Sequence, residues 1–135
     1  MDLSLLDTDI FSEVLKQRNV NVMRKAAIYL QQHRQIAISA VSRFEILRGY
    51  KKQNAATQLA RFHIVCQKSL ILALTDGIFD RAADLWAFGS NQGHPVGDAD
   101  VLIAATALEH GRTLVTGNES HFAWMPGLVV ENWRK

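Results

Sequence analysis

Apolar residues along the chain fall into two alternating kinds of segment. Short runs rich in Leu, Ile and Val occur at 3–6 (LSLL), 36–39 (IAIS), 70–74 (LILAL), 113–116 (TLVT) and 127–130 (GLVV), and each has the length and composition of a buried strand. Between them apolar positions recur at helical spacing over 10–16, 22–32, 41–52, 55–67, 78–90 and 99–109. Strands that alternate with helices imply right-handed crossovers and a mainly parallel sheet covered on both faces. The pattern therefore predicts an α/β fold with about five strands flanked by helices. Its clearest loop is SNQGHPVG at 90–97, and Gly111 and the pair Pro126 and Gly127 mark two further element ends. No repeat, low-complexity tract or linker divides the chain, so residues 1–135 read as a single domain.

Composition narrows the class. A chain of 135 residues that is 48% hydrophobic can build a core without disulfides or a structural metal. The lone Cys66 offers no disulfide partner, and the five histidines (33, 63, 94, 110 and 121) have no zinc-like spacing. A reducing cytoplasm is the expected location. No apolar run approaches the roughly 20 residues of a membrane span, and Asp2 argues against a secretory signal. The balance of 15 Lys and Arg against 13 Asp and Glu is mildly basic, which suits a nucleic-acid partner without requiring one.

In an open parallel sheet, ligands bind beyond the carboxyl ends of the strands. That rule directs attention to Asp7 and Asp9 after the first run, and to Thr116 and Asn118 after the fourth. Asp7 or Thr8 can cap the helix that follows, and Asp9 suits the cap or the helix dipole. Glu45, in SAVSRFEILRG, borders an apolar stripe of Val41, Phe44 and Leu47 and can pair with Arg48 at i, i+3. The segment GDADVLIAATALEHG puts Asp98 and Asp100 at the start of a helix apolar nearly all round. Capping explains one such acid; two that share a cleft raise a pKa unless a divalent cation neutralises them. Asn118 offers a carbonyl oxygen of the hard type that Mg²⁺ and Mn²⁺ accept, although Gly117 and Asn118 also suit a plain turn. His121 is the only histidine near this cleft. Arg48, Lys51 and Lys52 share one helix face, either merely solvated or available to phosphates.

Taken in order, LLDTDIFSEVL, ISAVSRFEILRGY, PVGDADVLIAATALEHG and TLVTGNESHFAWMPGLVVENW resemble the PIN domain, and within it the VapC-type toxins of bacterial toxin–antitoxin modules. The resemblance spans essentially the whole chain. It implies a PIN-like three-layer fold and an endoribonuclease in which Asp7, Glu45 and Asp100 hold Mg²⁺ or Mn²⁺. Asp98 and Asn118 would support them, with Thr8, Thr116 and Glu119 as second-shell or substrate contacts. Where some relatives carry an acid, this chain has Asn118, and His121 stands where others carry one three residues further on; Glu119 and Asp98 are the candidates to compensate. The resemblance also implies an RNA substrate, with tRNA as one candidate, a small DNA-binding VapB-like antitoxin, and a homodimer. Two rivals remain. A PIN fold that binds RNA or a partner without cutting is one. A haloacid-dehalogenase-like phosphatase is the other, imitated by Asp7-Thr8-Asp9 but mismatched at Phe11 and Leu102.

Overall fold

A computed structural model of the chain describes residues 1–135. Five strands, β1 (Ser4–Leu6), β2 (Ala37–Ser39), β3 (Leu70–Leu72), β4 (Thr113–Val115) and β5 (Val130–Glu131), form one sheet in the order β3-β2-β1-β4-β5. Every pairing is parallel. Seven helices connect them: α1 (Thr8–Lys16), α2 (Val20–His33), α3 (Ala40–Lys52), α4 (Ala56–Gln67), α5 (Asp76–Asn91), α6 (Asp98–Glu109) and α7 (Glu119–Phe122).

Alternation along the strands builds the three layers. Leu5, Ala37, Leu72 and Leu114 face α5 and α6, where Ile78, Leu85, Ile103 and Ala104 complete one core. Their neighbours Leu6, Ile38 and Val115 face the other way, onto Ile10 and Phe11 of α1, Val22 and Tyr29 of α2, and Phe62 of α4. Because both faces are covered, these strands are apolar at nearly every position. The α6 segment is buried from Ile103 to Ala107, as its apolar circumference requires.

The sequence reading differs from this fold in three places. The last strand lies at Val130–Glu131 rather than 127–130. Gly127, at φ +77°, still turns the chain, Val129 stays 62% exposed, and only Val130 and Glu131 enter the ladder against β4. Helix α7 went unforeseen, because one turn of ESHF carries no periodicity. Phe44, placed in an apolar stripe by its spacing, is instead exposed with the Arg48 guanidinium 5.1 Å from its ring centroid; Val41, Ser42 and Ile46 form the buried face.

Charge is distributed unevenly over these layers. From Ile46 to Thr75, through most of α3 and all of α4, the sequence has five Lys and Arg and no acid. From Asp76 to Asp100, covering α5 and the start of α6, it has five Asp and the single cation Arg81.

Candidate active site

The carboxyl ends of β1 and β4 lie side by side at the centre of the sheet, since Leu6 pairs with Val115 and the Asp7 N–H donates to the Val115 carbonyl at 2.8 Å. Asp7 and Thr116 thus follow their strands as neighbours. Thr116 Oγ1 donates to Asp7 Oδ2 at 2.8 Å and accepts from the Asn118 N–H at 3.0 Å. Asp7 Oδ1 accepts from the Thr8 N–H at 2.8 Å, so Asp7 is also the cap of α1. The capping and site readings of Asp7 describe one residue doing both.

Thr8 links β1 to α3. Its hydroxyl donates to Glu45 Oε1 at 2.7 Å and shares a hydroxyl–hydroxyl bond with Ser42 Oγ at 2.9 Å. Glu45 also meets Arg48 across 3.9 Å, with Arg48 mostly in solvent; such a pair contributes little. Asp100, in the first turn of α6, lies 3.5 Å from His121 Nδ1 of α7. Asp9 takes two backbone donors, Ile10 at 2.7 Å and Gly117 at 3.0 Å, and faces Arg134 across 3.5 Å. Gly117 has no room for a side chain: a Cβ there would collide with the Arg134 guanidinium and sit 2.6 Å from Asp9 Oδ2.

The electrostatics show which acids share a field. Burial pushes the Asp7 carboxyl up to about 6, against the Thr116 hydroxyl and Thr8 N–H that favour its charge, and Asp9 and Asp100 push it further. Burial likewise raises Asp100; His121 opposes the rise, while Glu45 and Asp9 add to it. Asp7, Asp9, Glu45 and Asp100 therefore form one group of four acids drawn from β1, α1, α3 and α6. Asp98, expected as a support, is exposed and lines a mostly apolar groove with Phe44, Leu102 and Glu45, which it shares with the group of acids. Asn118 is exposed, and its side chain makes no hydrogen bond. Glu119 is engaged by Lys135 at 2.7 Å and Asn132 at 3.3 Å, bonds that hold its carboxyl below the usual range.

Sequence reasoning missed Ser42 and Arg134 and assigned Asp9 to the helix end alone. Asp9 had a signal in its i, i+2 spacing from Asp7; Arg134 had none, since only folding brings residue 134 to the first turn of α1.

The donor set suits a hard divalent cation. It is all carboxylate oxygen apart from one imidazole and it is partly buried, and Asp7 and Asp100 are raised first by that burial and then by neighbouring acids. The side chains do not stand as a ready three-donor cluster. Each Asp7 oxygen accepts one hydrogen bond, from Thr8 or Thr116, and keeps a further lone pair.

A parallel sheet with acids gathered at its central strand ends defines a class, and the comparisons place the chain in it. The PIN domain profile matches residues 4–126, and the chain belongs to the PIN domain family. It is similar to Ribonuclease VapC2 of Rickettsia felis, with 26% identity over 132 residues, 97% of this chain and 98% of the relative. Its identity to the tRNA(fMet)-specific endonuclease VapC of Shigella flexneri is 28% over 134 residues, 96% of each chain. Among solved structures, VapBC2 from Rickettsia felis bound to a promoter DNA fragment superposes with a TM-score of 0.88 at 23% identity, over 97% of this chain and 98% of that one. No helix is long and apolar enough to cross a membrane.

Proposed function

We propose that this chain is a metal-dependent endoribonuclease and the toxin of a toxin–antitoxin pair. The observation that carries the reading is the group formed by Asp7, Asp9, Glu45 and Asp100 at the carboxyl ends of the central strands, negative charge concentrated where this sheet type binds ligands. Full-length similarity to proteins named as VapC ribonucleases supports the choice of RNA.

Asp7, Glu45 and Asp100 would hold Mg²⁺ or Mn²⁺, with Asp9 contributing charge from the next position. A cation held by these residues would supply charge relief at the phosphate and lower the pKa of a water poised for attack. The chain's own groups set the geometry. Thr116 fixes Asp7 from β4, Thr8 fixes Glu45 from α1, and His121 borders Asp100. Asp98 borders Glu45 across a shared groove; Asn118 has a side-chain carbonyl free of hydrogen bonds beside Thr116, whereas Glu119 is committed to Lys135 and Asn132.

The solved VapBC structures contain antitoxin with toxin, and a VapB-like antitoxin is the partner we assign here. An Arg or Lys from its tail would match the four acids, because a guanidinium bonds two carboxylate oxygens at once. The apolar groove between α5 and α6, with Phe79 and Trp86 about half exposed, offers area for the rest of such a segment.

The test is cleavage of total RNA and of purified tRNA. Activity should require Mg²⁺ or Mn²⁺, vanish in EDTA and return with added cation; equal cleavage in chelator would remove the metal from the mechanism. Expression of the chain should arrest growth, and co-expression with the small protein encoded beside it should restore growth. Harmless expression of an active nuclease would defeat the toxin assignment alone.

A further inference from the structure

A second cavity, of about 220 Å³, opens beside the four acids and shares Asp100 with them. Its walls include His94, Ser120, His121 and Trp124. We infer that it holds one unpaired nucleobase next to the bond that is cut, stacked on His94, so that His94 sets a base preference. The inference rests on the ribonuclease reading and names a part of its substrate site.

The aromatic wall is built, and glycine makes it possible. The His94 ring lies on Trp124 with centroids 4.9 Å apart and planes 7° apart, and Trp124 lies on Phe88 at 6.1 Å and 9°. The loop carrying His94 folds back onto α5 through a 2.7 Å bond from its N–H to the Gly89 carbonyl, and Gly93 makes the turn at φ +74°. A Cβ on Gly89 would stand 2.5 Å from the Trp124 ring and 2.8 Å from the His94 carbonyl. Only a glycine lets the loop and the indole close on each other there.

The same cavity discriminates among ligand classes. His94 is exposed and no second ring covers its far face, so it ends the stack with an open aromatic surface. No Lys or Arg lines the cavity and Asp100 does, which disfavours a phosphate. A neutral, planar, polar-edged ring remains: the cavity has the volume of about seven waters, and the Ser120 hydroxyl, which makes no hydrogen bond within the chain, can read a base edge. Unpaired bases are recognised in this way, stacked on an aromatic side chain and bonded along their edges.

The experiment uses the full chain and a random-sequence RNA, with the cut ends sequenced for wild type, His94→Ala and His94→Phe. Wild type should favour particular bases at one position flanking the cut. His94→Ala should flatten that preference and raise KM on the order of tenfold, the effect of losing one base stack, with kcat nearly unchanged. His94→Phe, which restores a ring, should recover both. An unchanged preference and KM in His94→Ala overturns the inference and leaves the nuclease standing, and failure of His94→Phe to rescue overturns stacking as the cause. A second measurement needs no cleavage. Titration of the protein with AMP, GMP, CMP and UMP should move the His94 ring-proton resonances upfield by ring current for at least one nucleotide, and no movement with any of them overturns the pocket. Movement in a protein that cuts no RNA would instead overturn the ribonuclease reading.

Discussion

Asp7 carries the largest electrostatic conflict in the molecule, at 6% exposure with two acidic neighbours and no cation in contact. Its carboxyl is raised from 3.8 to about 6 in the fold, so folded protein binds a proton that unfolded protein has released between those values. Stability of the metal-free protein should therefore be complete below the unfolded value and fall as pH rises through about 6, by roughly 3 kcal/mol at full ionisation. Asp7→Asn keeps the carbonyl that caps Thr8 and removes the charge. It should flatten that part of the pH profile and melt several degrees higher than wild type at pH 7 without metal, while losing nearly all cleavage. Thermal melts from pH 4 to 7.5 check this, and a variant no more stable at pH 7 than wild type would refute the conflict. Glu45→Gln and Asp100→Asn should each remove most cleavage. Thr8→Val, which frees Glu45 from its 2.7 Å bond, should cost less, on the order of tenfold in kcat; initial rates at saturating metal rank the three. Asp7 and Asp100 could be singled out from the sequence because they sit just beyond a predicted strand and at a buried helix start, whereas Glu45, mid-helix and readable as a partner of Arg48, is marked only by the family resemblance. The position of Asp98 could not be read, since one helical turn offers two acids and only packing decides which one meets His121.

At the scale of elements, the sheet core and α6 were legible because burial on both faces leaves continuous apolar runs that local pattern reveals. The turn from β4 into α7 was not. Thr116, Gly117 and Asn118 read equally well as a plain loop, and their role comes from contacts with Asp7 and Asp9, more than a hundred residues away in sequence, and with Arg134 near the end of the chain. Gly117 tests how tightly these elements meet. Gly117→Ala should cost about 1–3 kcal/mol, as overpacking does, and the cost should shrink but persist in an Arg134→Ala background, because the Asp9 oxygen also occupies the space. Urea unfolding of the two single variants and the double variant measures this, and equal costs in both backgrounds would show that Arg134 yields freely. Asn118, the expected carbonyl support, belongs to the same turn. Asn118→Asp should tighten Mn²⁺ binding and Asn118→Ala weaken it, whereas Glu119→Gln should chiefly loosen Lys135 and Asn132. Calorimetric titration of Mn²⁺ orders them; a larger loss in Glu119→Gln would reverse the assignment.

For the whole molecule, an α/β chain with a parallel sheet followed from the alternation of segment types, and the order β3-β2-β1-β4-β5 places β1 at its centre. That position explains why residue 7 meets groups from every layer. The split between the acid-free stretch 46–75 and the acidic stretch 76–100 was present in the sequence, but its meaning depends on these stretches lying in different helices of the fold. With a net charge of only +2, the chain carries little monopole and a pronounced separation of sign. A polyanion diffusing toward it meets a torque before it meets a surface: the α3–α4 flank is turned forward and the α5 flank away, so many random collisions convert into oriented ones. Such guidance acts over about one Debye length, roughly 8 Å at physiological salt. The association rate with RNA should consequently fall steeply as salt rises from 50 to 300 mM, while the dissociation rate changes less. Stopped-flow binding would show it, and a variant with Lys51, Lys52 and Lys68 changed to Gln should lose most of that salt dependence with its cleavage rate at saturating RNA intact.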